Sequence, residues 1–195
     1  MSELIVGATM QSGHRKSGVA TDPANRHPDD WYATPAHAVR SLLEKEKFEG
    51  YIWEPACGDG AISKILKESG HEVFSTDLID RGYGEGQEDF LTTGRGLFDN
   101  IITNPPYDKK ILTPFIDKAV SLSLRKCALI LRIQALEGKD RRRIYDRCPP
   151  SRIWVFSKRV QMMRGGIEPD GSSMVCYAWF VWDKYHEGKT ELGWI

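Results

Sequence analysis

A chain of 195 residues, 41% hydrophobic and 28% charged, can bury a core without disulfide or metal staples, and this composition excludes a disordered or fibrous polymer. No apolar run nears the ~18 residues of a membrane helix, and Leu4-Ile5-Val6 is too short for a signal peptide, so a cytoplasmic protein without membrane contact is expected. The formal charge is zero, yet Glu44–Asp99 holds 13 acids and 6 bases while Ser121–Asp170 holds 12 bases and 5 acids; the basic half suits either a polyanion or an ordinary solvated face.

Residues 1–30 are polar and aperiodic and read as a flexible arm, with His14-Arg15-Lys16 near its middle. The remainder, 31–195, reads as one domain. Pro35–Lys47 is a predicted helix with Thr34 as N-cap. A strand at Tyr51–Trp53 follows, then a helix over Ala61–Ser69 that stops at Gly70. Glu72–Thr76 is a strand ending at Asp77, and Phe98–Thr103 holds a strand, Asn100-Ile101-Ile102, ending at Asn104. Leu112–Leu124 is an amphipathic helix, Cys127–Ile133 a buried strand by its continuous apolar run, and Lys139–Arg147 a basic helix. Ile153–Phe156 and Val175–Trp182 have no helix between them and suggest an antiparallel hairpin at a sheet edge. The alternation predicts an α/β fold with a doubly wound, mostly parallel sheet. Ligands bind such sheets at the carboxyl ends of the strands, where Glu54, Asp77 and Asn104 fall.

Three groups of residues carry chemistry. Glu54-Pro55-Ala56-Cys57-Gly58-Asp59-Gly60 is a turn whose glycines, Gly58 and Gly60, permit close approach of a ligand. It lacks the G-x-G-x-x-G spacing and the G-K-[ST] of a triphosphate loop, and its acids suit a sulfonium and an amino acid. Asp77 is placed to accept ribose hydroxyls, with a helix N-cap as the plainer alternative. Asp89-Phe90 suits an adenine amine and ring face, or a surface acid beside a core aromatic. Asn104-Pro105-Pro106-Tyr107 follows a buried strand, and its two prolines fix two φ angles and remove two donors, which is unusual for an ordinary turn. The four cysteines, Cys57, Cys127, Cys148 and Cys176, include no C-x-x-C pair, so no metal site is expected.

These motifs resemble the amino-methyltransferase class of DNA adenine methyltransferases, especially compact phage-type members, over about Trp31–Trp182. Asp30-Trp31-Tyr32-Ala33-Thr34-Pro35 is similar to the family's N-terminal cofactor motif, and Glu54–Gly60 to its glycine loop. The resemblance implies a Rossmann-like fold, S-adenosylmethionine as cofactor and DNA as partner. It implies cofactor contacts from Trp31, Tyr32, Thr34, Pro35, Glu54, Pro55, Ala56, Gly58, Gly60, Asp77, Leu78, Asp89, Phe90 and Asn104. Asn104, Pro105, Pro106 and Tyr107 match the catalytic motif, which acts on the N6 amine of adenine. There Asn104 and the Pro105 carbonyl accept the amine hydrogens and Tyr107 stacks on the flipped base. Phe156 resembles a later base-packing residue, or packs as a core strand residue. Arg141, Arg142, Arg143, Lys158, Arg159 and Arg164 are expected phosphate contacts. The family's separate recognition domain has no counterpart in the sequence, so short or relaxed sequence specificity is expected. Asn-Pro-Pro-Tyr also occurs in enzymes that methylate a protein glutamine amide or an RNA guanine N2, and these are the alternatives.

Overall fold

The computed structural model describes residues 31–167 and 175–195; the expected arm over 1–30, with its basic triplet, lies outside the described residues. The chain runs β1 (Tyr32–Ala33), α1 (Ala36–Lys45), β2 (Ile52–Glu54), α2 (Ala61–Glu68), β3 (Val73–Ser75), β4 (Phe98–Thr103), α3 (Lys109–Leu122), β5 (Ser123–Arg132), α4 (Lys139–Arg147), β6 (Arg152–Val155), β7 (Met163–Arg164), β8 (Tyr177–Asp183) and β9 (Glu191–Trp194). Seven of these strands form one sheet in the order β3-β2-β4-β5-β8-β6-β9. Parallel pairing joins β3, β2, β4 and β5. Strand β8 runs antiparallel to both β5 and β6.

The α/β, mostly parallel sheet expected from the sequence is therefore present, with the expected antiparallel pair, β6 and β8, toward one side. Strand β9 adds parallel to β6 beyond them. In Glu191-Leu192-Gly193-Trp194 the alternating apolar residues, Leu192 and Trp194, are both exposed, and the pairing depends on Gly193. The side chain that glycine lacks would sit 2.2 Å from the Trp154 ring. Helix α3 also begins earlier than expected, because the Asp108 carboxylate accepts from the Lys110 amide and caps it.

The core sits on both faces of the central strands. Ile101, Ile102 and Leu129 are fully buried, as are Trp53, Trp179 and Phe180. Burying large indoles requires partners for their N–H groups. Trp53 Nε1 donates to Thr76 Oγ1 (3.0 Å), Trp179 Nε1 to the Ala38 carbonyl (2.8 Å) and Trp182 Nε1 to that of Cys148 (3.0 Å). At the amino ends of the parallel strands, buried Glu46 gathers Arg152, Lys126 and Trp154, tying the end of α1 to β5 and β6. Among the described residues no helix is long and apolar enough to cross a membrane.

The carboxyl ends of β2, β3 and β4 lie side by side, which places the loops after Glu54, Ser75 and Thr103 together. A second, two-stranded sheet was not legible in the sequence. Tyr32 pairs with Arg164 and Ala33 with Met163, and the Gly165 amide reaches the Trp31 carbonyl. This clasp brings the 160s loop beside the N-terminal motif.

Candidate active site

The three strand ends open on one cavity of about 680 Å³. Trp31, Tyr32, Thr34, Glu54, Pro55, Ala56, Gly58, Asp77, Leu78, Asp89, Phe90 and Asn104 line it, as do Pro105 and Pro106. Pro35 and Gly60 do not, and each serves a turn instead. Pro35 occupies the N-cap position of α1 without a side-chain cap, which corrects the assignment of that role to Thr34. Gly60 caps α2 in a left-handed conformation (φ 82°), with the Tyr83 ring where a side chain would stand. Asp59, Ile79, Ile111 and Phe115 line the cavity too. Ile111 and Phe115 are one helical turn apart on α3, a spacing that also fits a plain core face.

The glycine loop is tied to the neighbouring strand end. Gly58 has φ 56°, and a side chain there would lie 2.7 Å from Trp31 Nε1. Its amide donates to Asp77 Oδ2 at 2.7 Å, while Asp77 Oδ1 accepts from the Ile79 amide at 2.9 Å. Asp77 thus closes a local turn and no helix follows it, so the N-cap alternative does not apply. Each oxygen keeps a second lone pair. Asp89 makes a similar turn, its Oδ1 accepting from the Leu91 amide at 2.9 Å. Phe90 is buried edge-on to Trp53.

Glu54 is buried at the base of the cavity, its carboxylate accepting from the amide (2.8 Å) and hydroxyl of Ser63. Burial drives its pKa well above the ordinary carboxylate range, against the Ser63 hydrogen bonds. The unfolded chain therefore releases this proton at a lower pH than the native protein. Stability from this group is complete below the unfolded pKa and is lost as pH rises toward the native one. Glu54→Gln is expected to remove that slope. Urea midpoints measured from about pH 5 to 8 should fall for the wild type and stay level for the variant, apart from other titrating groups. Cys57, close by, is pushed up to about 12 by burial and by the charges of Glu54 and Asp77, so it stays a thiol and is no nucleophile.

Asn104 stands at the tip of β4. Its Nδ2 donates to the Tyr32 carbonyl (2.9 Å) and Thr34 Oγ1 (3.1 Å), and its Oδ1 accepts from the Tyr107 hydroxyl (2.5 Å). The Tyr32 carbonyl only accepts, which fixes the amide orientation. The N-terminal motif, the glycine loop and the Asn-Pro-Pro-Tyr turn thus share one cavity.

Three expected substrate contacts fall elsewhere. Tyr107 is 8% exposed and outside the cavity lining. The Arg132 guanidinium stands 4.8 Å from its ring centre and the Tyr177 ring 5.9 Å away. Phe156 is half-buried against the core beside β6 and likewise outside the lining. Arg141 commits its guanidinium to the carbonyls of Ala135 (2.8 Å), Gln134 (3.3 Å) and Glu137, closing the turn before α4. Arg142 pairs with Asp146 one turn along an exposed helix face. Arg143, Lys158, Arg159 and Arg164 are exposed. Among the described residues no group of three His, Cys, Asp or Glu side chains is disposed to hold a metal ion.

No protein-family model matches the chain, and no curated protein sequence matches it. Solved structures of similar fold exist. A candidate RNA methyltransferase from Pyrococcus horikoshii superposes with a TM-score of 0.61 at 16% identity, over 80% of this chain and 87% of that one. The modification subunit of a candidate type I restriction enzyme from Vibrio vulnificus YJ016 gives 0.57 at 15% identity, over 82% of this chain. This chain spans only 45% of that subunit. Magnesium protoporphyrin IX methyltransferase from Synechocystis PCC 6803, solved with bound SAH, gives 0.50 at 17% identity, over 74% of this chain and 82% of that one. At these identities the likeness is one of fold, the Rossmann-like sheet of methyltransferases.

Proposed function

We propose that this chain is an S-adenosylmethionine-dependent methyltransferase acting on the N6 amine of adenine in DNA. The observation that carries the reading is Asn104, which stands at a strand tip on the same cavity as the Gly58 turn with its amide held at both ends.

The residues present suit the cofactor. The free lone pairs of Asp77 would take ribose hydroxyls, and Asp89 the adenine amine. Leu78, Ile79, Phe90 and Phe115 supply an apolar slot for the ring. Trp31, Tyr32 and the acidic turn at Glu54 and Asp59 suit the methionine portion. Bound there, the cofactor supplies an electrophilic methyl on a sulfonium, whose C–S bond pair remains on sulfur. Gly58→Ala forces a side chain into a left-handed backbone and against Trp31. It is expected to weaken S-adenosylhomocysteine binding about tenfold or more by calorimetry, given the ~1–2 kcal/mol of the backbone alone.

The exocyclic amine of a purine is a poor nucleophile because its lone pair is delocalised into the ring. Asn104 Oδ1 and the Pro105 carbonyl would each accept one amine hydrogen. That pair of acceptors favours a pyramidal nitrogen and stabilises the positive charge that grows as the new N–C bond forms. The surplus proton then leaves the nitrogen for water. Pro105 and Pro106 keep the carbonyl in place at no entropic cost during the reaction. The target amine is inaccessible within a duplex, so the base must leave the stack. Exposed Arg143, Lys158, Arg159 and Arg164 suit phosphate contacts. The fold-level similarity to a restriction-modification subunit agrees with DNA as the polymer.

Purified protein, methyl-labelled S-adenosylmethionine and separate DNA, transfer RNA and glutamine-bearing protein substrates test this reading. Label is expected in DNA alone. Label confined to RNA or to protein would overturn the substrate assignment.

A further inference from the structure

We propose that Tyr107 is a positioning residue whose hydroxyl, rather than its ring, serves the reaction by holding Asn104 Oδ1 in place. This rests on the reading above only in that the acceptor is a conjugated amine gripped by Asn104.

The resemblance to the adenine methyltransferases implies a tyrosine whose ring stacks on the flipped base. The structure places Tyr107 otherwise. The Tyr107 hydroxyl reaches the Ile130 carbonyl of β5. The residue is 8% exposed and does not line the cavity. The Arg132 guanidinium stands 4.8 Å from the ring centre and the Tyr177 ring 5.9 Å away. Arg132 and Tyr177 are themselves cross-strand partners on β5 and β8. A base reaching this ring would have to displace packed residues of the central sheet. Bringing the ring to the base would equally break the hydroxyl's contacts.

The hydroxyl, in contrast, is well placed. It lies 2.5 Å from Asn104 Oδ1 and 3.1 Å from the Ile130 carbonyl oxygen. A phenol carries one hydrogen, and the shorter contact is the one to Asn104. The other end of the amide is held independently, by the Tyr32 carbonyl and Thr34 Oγ1. Both ends of the Asn104 amide are therefore engaged. One lone pair of Oδ1 goes to Tyr107 and the second remains for the substrate amine. Tyr107 thus removes the reorganisation that a free asparagine would undergo as charge develops. The sequence hid this role, because Asn-Pro-Pro-Tyr alone does not say whether the tyrosine points outward or inward.

Tyr107→Phe separates the two roles, since phenylalanine keeps the ring and loses the hydroxyl. The substrate is a random-sequence duplex rich in adenine. For a positioning role, kcat should fall about 10- to 100-fold, the scale of disturbing one preorganised acceptor. KM for DNA and S-adenosylhomocysteine affinity should stay within about twofold. On an Asn104→Ala background, followed by single turnover, the Phe substitution should cost nothing further, because its effect passes through Asn104. Thermal melting confirms that each variant folds. A Tyr107→Phe enzyme with wild-type kcat overturns the proposal, as does one whose loss lies in DNA KM. A further loss on the Asn104→Ala background overturns it as well. A wild-type protein that labels RNA or a glutamine amide defeats the substrate assignment instead, and the same variants then test Tyr107 on that substrate.

Discussion

Asn104→Ala is expected to lower kcat by about 10²–10³-fold, the loss seen when one preorganised transition-state partner is removed. Asn104 lines the cavity at the β4 tip and its Oδ1 keeps a lone pair beyond the one that Tyr107 takes, whereas alanine offers no acceptor. Cofactor affinity should change little by comparison, because the Gly58–Asp77 link and the apolar slot around Leu78 and Phe90 are untouched. Asp77→Ala should show the reverse. It removes the acceptor for the Gly58 amide and so disturbs the loop as well as the proposed ribose contact, and S-adenosylhomocysteine binding should weaken more than kcat falls. Paired kinetics and calorimetry on the two variants check this. Near-normal turnover by Asn104→Ala would remove the catalytic assignment.

Glu46→Ala is expected to cost about 3–5 kcal/mol of stability, the typical penalty for leaving buried cations without their partner. Glu46 is 3% exposed and accepts from Arg152 Nη2 (2.9 Å), Lys126 Nζ (2.8 Å) and Trp154 Nε1 (3.0 Å). Asp183 meets the same Arg152 Nη2 at 2.7 Å, but it alone does not balance two cations. For a chain of this size the loss corresponds to a fall in Tm of about 6–20 °C, measurable by calorimetry. Activity below the new melting range should be retained, since the cluster lies at the end of the sheet opposite the cavity. The pH dependence follows from the same contacts. Burial raises the Glu46 pKa, but hydrogen bonds from Arg152, Lys126 and Trp154 outweigh it and hold the group below its ordinary value. Asp183 is likewise held low by Arg152 and the Tyr185 amide against its partial burial. With native values depressed, this stability is present above the unfolded pKa values and is lost as pH falls through the native ones. Acid unfolding of the wild type should therefore be steeper than that of Glu46→Ala.

The elements that the sequence disclosed are those whose signal is local. Lys139–Arg147 has the bounds expected from its basic helical pattern, and the strand expected at Asn100-Ile101-Ile102 is the middle of Phe98–Thr103. Strand ends were legible too, since Glu54, Asp77 and Asn104 stand where apolar runs give way to polar turns. What escaped depends on distant partners. Tyr32–Ala33 is a strand only because Met163–Arg164 lies beside it. Glu191–Trp194 is one only because Trp154 fills the space above Gly193. Side-chain destinations were the least legible. Residue type marked Tyr107 and Arg141 as substrate contacts, but packing decides where they point. Tyr107 is captured by Arg132 and Tyr177, and Arg141 by carbonyls of the turn before its own helix. Thr34 shows the same effect at shorter range, its hydroxyl turned to Asn104 rather than to the start of α1.

The most direct measurement is nucleoside mass spectrometry of DNA from cells expressing either the wild-type chain or Asn104→Ala. N6-methyladenine is expected in the first DNA and near background in the second. DNA free of N6-methyladenine in both, or equal amounts in both, would contradict the assignment of the β4 tip as the place where an adenine amine is held for methyl transfer.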